Sequence, residues 1–247
     1  MKNTLTTLTS LVLLFTCLST SAQDNYQTLS SFEKIEIGPN ISAILVQGEQ
    51  EDIRYELNGI HPDELHIDVQ GKKLHVYLDK ARHVEKQKKV YDTGNKCTTG
   101  WYDGNVVDVY ITYQMLSKVV LKGEEDLNIH GTITDDIFKM KIYGDSDVEI
   151  ENLRAERLKV KMYGESTLKF HNGAIGFQKY TLYGENTIHA DQVASAKVKA
   201  TNYGESELNV TTERLKFTVF GEIDITCGPG TDVRKGLVFG EASINKW

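Results

Sequence analysis

The sequence predicts an all-β protein, a right-handed parallel β-helix (solenoid) of about 20-residue repeats with a less regular N-terminal β portion. Three observations lead there. A short Tyr-Gly-acid motif recurs every 20 residues, apolar and polar residues alternate with period 2 inside each repeat, and one glycine falls at the same inward-facing place each time.

The motif reads Tyr143-Gly144-Asp145-Ser146, Tyr163-Gly164-Glu165-Ser166, Tyr183-Gly184-Glu185-Asn186 and Tyr203-Gly204-Glu205-Ser206. Phe220-Gly221-Glu222 and Phe239-Gly240-Glu241 continue it at spacings of 17 and 19, and Lys122-Gly123-Glu124 begins it with Lys in the aromatic place, giving seven units. Within a unit Phe138, Met140, Ile142, Ser146, Val148 and Ile150 share one parity, while Lys139, Lys141, Tyr143, Asp145, Asp147 and Glu149 share the other. That is the pattern of a strand with one apolar face. The glycine sits on the inward side, where it either bends the strand or lets another backbone approach closely. One such unit cannot bury its apolar face alone, whereas a stack of them can. Parallel stacking is favoured over an antiparallel meander because the units lack the Asn-Gly and Asp-Gly dipeptides of tight hairpins. The crossover rule then gives a right-handed coil.

Taken in chain order, residues 1–22 read as a secretory signal peptide: Lys2, the apolar run Leu11 to Leu18, and the small residues Thr20-Ser21-Ala22 before Gln23. Cys17 raises lipoprotein processing, but Leu14-Phe15-Thr16 ahead of it lacks the small residues such a site uses. The expected location is the periplasm or the outer cell surface. Residues 23–117 form the N-terminal β portion, with strands at Phe32 to Ile37, Ile41 to Val46, Ile53 to Leu57 and Val106 to Tyr113, and a hairpin of Leu65 to Val69 with Leu74 to Leu78 around Gln70-Gly71. The stretch 80–105 is dense in charge and ends in Gly100-Trp101-Tyr102-Asp103-Gly104, so it is expected as an exposed loop. Trp101 and Tyr102 there could anchor a partner or fold back as a lid over the solenoid end. The seven-unit solenoid occupies 118–247.

Composition narrows the function. Without Lys2 the exported chain carries 27 Lys and Arg against 35 Asp and Glu, a net charge of −8 that disfavours nucleic acid. No stretch approaches the roughly 20 apolar residues of a transmembrane helix. The exported chain keeps only Cys97 and Cys227, so at most one bridge could form.

Three outward columns follow from the repeat. Lys118, Lys139, Lys159, Lys179, Lys199, Lys216 and Lys235 stand four residues before the aromatic place. The aromatic column is Tyr143, Tyr163, Tyr183, Tyr203, Phe220 and Phe239, and the acidic column is Glu124, Asp145, Glu165, Glu185, Glu205, Glu222 and Glu241. A structural reading stacks the rings and uses the charges to keep the β surface from aggregating. Yet acids about 4.8 Å apart repel by roughly 0.9 kcal/mol per adjacent pair even in water. A functional reading therefore makes Tyr143, Tyr163, Tyr183, Tyr203, Asp145, Glu165, Glu185 and Glu205, with Trp101, a binding surface for a cell-surface glycan or protein. Calcium on the acid row, helped by the neighbouring Ser or Asn, is a further candidate, although the glycine-rich nonapeptides of calcium-binding β-rolls are absent.

Catalytic patterns are missing. The chain has no Gly-x-Ser-x-Gly elbow, no phosphate-binding loop and no His-Glu-x-x-His pair. His61, His66 and His75 could meet as zinc ligands across the hairpin, against a reading as solvent-facing strand histidines. Carboxylate pairs are numerous, but β-helical carbohydrate-active enzymes build their sites from non-repeating residues. The expectation is a non-enzymatic binding protein with no metal site or cofactor, the alternatives being a purely structural envelope protein and a carbohydrate-active enzyme.

The leader ending Ser21-Ala22-Gln23, the opening Phe32-Glu33-Lys34-Ile35-Glu36-Ile37 with Asn40-Ile41 and Gln47-Gly48, and the tandem β units with a central glycine resemble the auto-transporter adhesin head (GIN) domain family of Bacteroidetes-type bacteria. The resemblance covers about Phe32 to Ile244. It implies a repetitive β-helical fold at the cell surface and brings no catalytic residues. The Tyr-Gly-Glu-Ser corners here replace the Ser-Gly-Ser-Gly turns of that family, and the chain contains no translocator barrel.

Overall fold

The computed structural model describes residues 25–83, 87–92 and 95–247; the leader expected over 1–22, with Cys17, lies outside them. The strands are β1 (Tyr26–Thr28), β2 (Lys34–Ile37), β3 (Ile41–Gln47) and β4 (Asp52–Leu57), then, after a 3₁₀ turn at Pro62–Glu64, β5 (Leu65–Gln70), β6 (Lys73–Leu78), β7 (Gln87–Asp92), β8 (Asn95–Gly100) and β9 (Val107–Tyr113). The rest of the chain is β10 (Lys118–Gly123), β11 (Leu127–Gly144), β12 (Asp147–Phe170), β13 (Gly173–Cys227) and β14 (Asp232–Lys246). Together they make a β-solenoid of about six turns.

The stacking is parallel, and the repeats lie in register. Tyr143, Gly144 and Lys139 of β11 face Tyr163, Gly164 and Lys159 of β12, which face Tyr183, Gly184 and Lys179 of β13. The alternation puts one parity inside: Phe138, Met140, Ile142, Val148 and Ile150 are buried, as are Leu158, Val160, Met162, Leu168 and Phe170 one turn on. This interior runs the length of the stack as a single apolar cluster. Among its polar intrusions is Gln178 below Leu158, with Tyr180 below Val160. The Tyr180 hydroxyl donates to Gln178 Oε1, which satisfies a phenol that burial would otherwise leave unpaired.

The glycine place explains the coil. Gly123, Gly144, Gly164, Gly184, Gly204, Gly221 and Gly240 all have φ between 98° and 130°, a region open chiefly to glycine. A Cβ on Gly164 would stand 2.2 Å from the carbonyl oxygen of Gly144, and the same clash recurs down the column. Each glycine thus turns the corner and also lets the next turn approach.

The parallel stack extends further toward the N-terminus than the 20-residue repeat. β2 pairs in parallel with β10, and β3 with β11, so Lys34–Gln47 is itself a coil of the solenoid. Beyond it lie β6 on β2 and β9 on β3, also parallel. Only then does pairing turn antiparallel, with β5 on β6 and with β4 on β9 followed by β1 on β4. These antiparallel strands cap the end of the stack.

Two local expectations differ from what forms. Within 80–105, read as an exposed loop, β7 and β8 pair antiparallel as a separate hairpin, with Asp92 opposite Asn95. The β-favouring Val90-Tyr91 and Thr98-Thr99 sit among lysines that hide them from a count of charge. In the last turn the lysine column breaks: Lys216 faces Arg234, while Lys235 faces Phe217. The extra residue is taken up by a bulge between Phe217 and Val219, after which Phe239 returns opposite Phe220. Cys227 carries a free, buried thiol.

Candidate binding surface

The outer face of the glycine-corner column carries the predicted rows. Tyr143, Tyr163, Tyr183 and Tyr203 stack with centroids 4.8 Å apart and planes within 6° of parallel. Phe220 and Phe239 extend the stack to six rings, at 5.1 and 5.4 Å. The spacing is that of neighbouring strands, so ring stacking follows directly from backbone register. Because each face is covered by the next ring, what the row offers to solvent is ring edges and the four phenol hydroxyls. Tyr183 and Tyr203 are 36% and 39% exposed. No protein group among the described residues hydrogen-bonds those four hydroxyls.

Beside the rings the charges are sorted. On one side stand Lys139, Lys159 and Lys179 with Lys141 and Lys161, in register. At the N-terminal start of that row, burial and then the neighbouring ammonium of Lys141 pull the Lys118 ammonium below its usual range. On the other side, past the glycine corner, Asp145, Glu165, Glu185, Glu205, Glu222 and Glu241 line an open groove of about 630 Å³, joined by Glu207 and Asp224. Among the described residues no ion pair links the lysine row to the acid row; the lysine pairs lie elsewhere, at Glu33, Glu36, Glu64 and Glu149. Nor do any three His, Cys, Asp or Glu side chains among them come together as a group able to hold a metal ion.

Ser146, Ser166 and Asn186, each next to an acid of the row, point inward. Ser146 and Ser166 are buried and donate to the carbonyls of Gly123 and Gly144, at 3.0 and 3.1 Å. Asn186 donates to the carbonyl of Tyr183 at 3.2 Å. The two serines tie their turn to the corner of the turn before, and Asn186 binds the corner it sits on, roles visible in the sequence only as parity with the apolar residues.

Trp101 is not part of this surface. The Lys80 ammonium lies 4.2 Å from its ring centroid, and the Tyr102 hydroxyl donates to Glu64 at 3.0 Å. Burial, and then that carboxylate, push the Tyr102 phenol well above its usual value. The pair folds back on the capped end near β6, with β2 and β10 between it and the tyrosines. The histidines also separate: His66 stands opposite Tyr77 and hydrogen-bonds Asp79, while His75 stands opposite Asp68.

One feature escaped the sequence reading. Glu36 on β2 is bound by Lys73 from β6 and by Lys122 from β10, the latter at 2.5 Å. Burial raises the pKa of the carboxyl, but the two ammonium hydrogen bonds outweigh it and hold it down to about 2. Lys122 in the aromatic place was the available signal, since the residue that breaks the ring row is the one that ties three strands together.

Residues 31–228 match the family model described as "Putative auto-transporter adhesin, head GIN domain". The chain belongs to that family. Solved structures agree with the GIN-domain assignment at the level of fold. A "putative adhesin" from Bacteroides fragilis superposes with a TM-score of 0.67 at 19% identity, covering 89% of this chain and 94% of that one. Another from Parabacteroides merdae gives 0.62 at 18%, covering 90% and 94%. A "putative lipid binding protein" from Parabacteroides distasonis gives 0.59 at 15%, covering 90% and 95%. No curated protein matches the chain.

Proposed function

We propose that this protein is a non-enzymatic binding protein of the cell envelope that captures an extended cell-surface polymer, glycan or polypeptide, along its tyrosine row. The carrying observation is the run of four stacked, outward tyrosines with unengaged hydroxyls, set between a lysine row and an acid row that do not neutralise each other. A repeat of 4.8 Å in hydroxyls and ammonium groups suits a ligand that itself repeats. Since ring faces are already covered, recognition runs through ring edges and hydroxyls, with the lysines favouring acidic groups on the ligand. Family membership supports a surface role, and neither the family description nor the neighbours name a catalytic activity.

The test is a glycan-array and cell-binding comparison of the exported chain with a Tyr163→Ser, Tyr183→Ser, Tyr203→Ser variant, with thermal unfolding of both. Loss of retention on an intact fold supports binding through the row. Retention unchanged, with only the melting temperature lowered, means that the tyrosines are structural.

A further inference from the structure

The sheet face that ends in the tyrosines carries positive charge over a longer stretch than the rings themselves. Lys34 of β2, Lys118 of β10, Lys139 of β11, Lys159 of β12 and Lys179 of β13 are consecutive partners in the parallel ladder, so their stems follow one another at the strand spacing of about 4.8 Å. Lys199 and Lys216 continue the series in the sequence. Two residues on, Lys141 and Lys161 form a second row between the first and the tyrosines. The segments 137–143, 157–163, 177–183 and 197–203 that build this face hold no Asp or Glu, in a chain that is acidic overall. Among the described residues none of the lysines from Lys34 to Lys179 on the first row, nor Lys141 or Lys161, has a carboxylate within ion-pair distance; the lysines that do are Lys72, Lys73, Lys80, Lys122 and Lys169. Glu36, held by Lys73 and Lys122, closes the face at its N-terminal end.

We propose that this face seats a linear acidic polysaccharide with a carboxylate on each sugar, laid along the stack with its carboxylates on the lysines and its hydroxyls toward the tyrosine edge; the inference rests on the reading of the tyrosine row given above and names its ligand. Sign, period and hydrogen bonding all match. An ammonium row without carboxylate partners attracts a polyanion and releases the ions condensed on it. An extended chain of acidic sugars advances by close to one strand spacing per sugar, so its carboxylates meet ammonium groups turn after turn. The second lysine row and the ring row stand two residues apart along each strand, about 7 Å, which brings the phenol hydroxyls within reach of the same sugar chain. A phenol donates to and accepts from sugar hydroxyls. Polyphosphate has the charge but no hydroxyl to meet the phenols. The acid row past the glycine corner repels any polyanion broad enough to cross it, which rules against a nucleic-acid duplex or a membrane surface and keeps a single strand on the lysine side.

The test is retention of polygalacturonate by the exported chain, against its methyl-esterified form and against polyphosphate, at about 0.1 M salt, where screening beyond about 10 Å keeps the effect local. Polygalacturonate alone should be held. Lys139→Gln, Lys159→Gln and Lys179→Gln together should weaken it about 10-fold or more, while the same charge removed at Lys80, Lys169 and Lys246, off this row, should change it less than about 2-fold. Should the row variant fail to fold, amine acylation of the unaltered chain decides: bound polygalacturonate must protect Lys139, Lys159 and Lys179 and leave Lys169 reactive. The Tyr163→Ser, Tyr183→Ser, Tyr203→Ser variant separates this inference from the reading beneath it. Polygalacturonate lost with the lysines but kept without the tyrosines upholds the lysine seat and overturns the tyrosine reading. No retention of polygalacturonate, while another glycan is held through the tyrosines, overturns this inference alone. Equal retention of the esterified polymer or of polyphosphate overturns it as well, as does an equal loss on removing the lysines off the row.

Discussion

The two halves of the solenoid solve the same problem by different means. From Gly123 onward, register is repeated turn by turn through glycine corners and stacked rings, each copy nearly identical to the last. In the N-terminal half there is no such repeat. Spatial order departs from chain order, since β2 lies between β6 and β10, and the strands are tied by specific side chains such as Glu36 with Lys73 and Lys122. Local, repeated chemistry suffices where each strand stacks on its predecessor. Where the chain returns from a distance, a partner-specific contact takes over the task of choosing the neighbour.

The sharpest break in this comparison is at a corner. Gly164→Ala places a Cβ on a φ of 117° and 2.2 Å from the oxygen of Gly144, so it must distort two turns at once. We expect a loss of at least about 3 kcal/mol in chemical denaturation, or failure to fold. Gly59→Ala is the matched control: its φ is 82°, but nothing lies within 4 Å of the added carbon. It should cost only about 1 to 2 kcal/mol, the backbone term alone. Equal losses at both sites would mean that the close approach between turns contributes nothing.

The N-terminal counterpart is Glu36→Gln. It leaves Lys73 and Lys122 facing a neutral amide in a half-buried setting and should cost about 2 kcal/mol at neutral pH, less than a fully buried pair. The pH dependence has a fixed sign. The folded carboxyl titrates at about 2 and the free one at 4.5, so its contribution is complete above 4.5 and disappears as pH falls toward 2. The stability difference between wild type and variant should therefore shrink across that window. A difference that stays constant with pH would show that the loss comes from packing and not from charge.

Legibility in the sequence followed the same division. The repeat exposed the β-solenoid, the inward parity, the parallel register and the ring row, because identical side chains recur at fixed spacing. The N-terminal coil of β2 and β3 was readable as strands but not as part of the stack, since nothing local says that Lys34 will lie beside both Lys73 and Lys118. The hairpin of β7 and β8 was hidden by its charge, and the bulge near Leu237 by an apparent lysine at the right spacing. Trp101 stood out as an exposed aromatic, yet its position depends on Lys80 and the fold around β6, which only the tertiary structure supplies.

The smallest effect concerns the acid row, where the repeat works against itself. Asp145, Glu165, Glu185 and Glu205 line one side of the groove with no ion-pair partner among the described residues, and Glu165 and Glu185 lie in strand register. Like charges on adjacent strands are mutually unfavourable, and exposed ones are screened by salt. Glu185→Gln should raise the melting temperature by about a degree or less at low ionic strength, with the gain vanishing at high salt. Adding calcium to the unaltered protein separates two origins of the row. If the ion leaves the melting temperature unchanged, the acids serve to keep the corner solvated and unpaired. If calcium raises it and Glu185→Gln removes the rise, the repulsion is the cost of a cation-binding row, and the tyrosine surface beside it becomes one edge of a larger site.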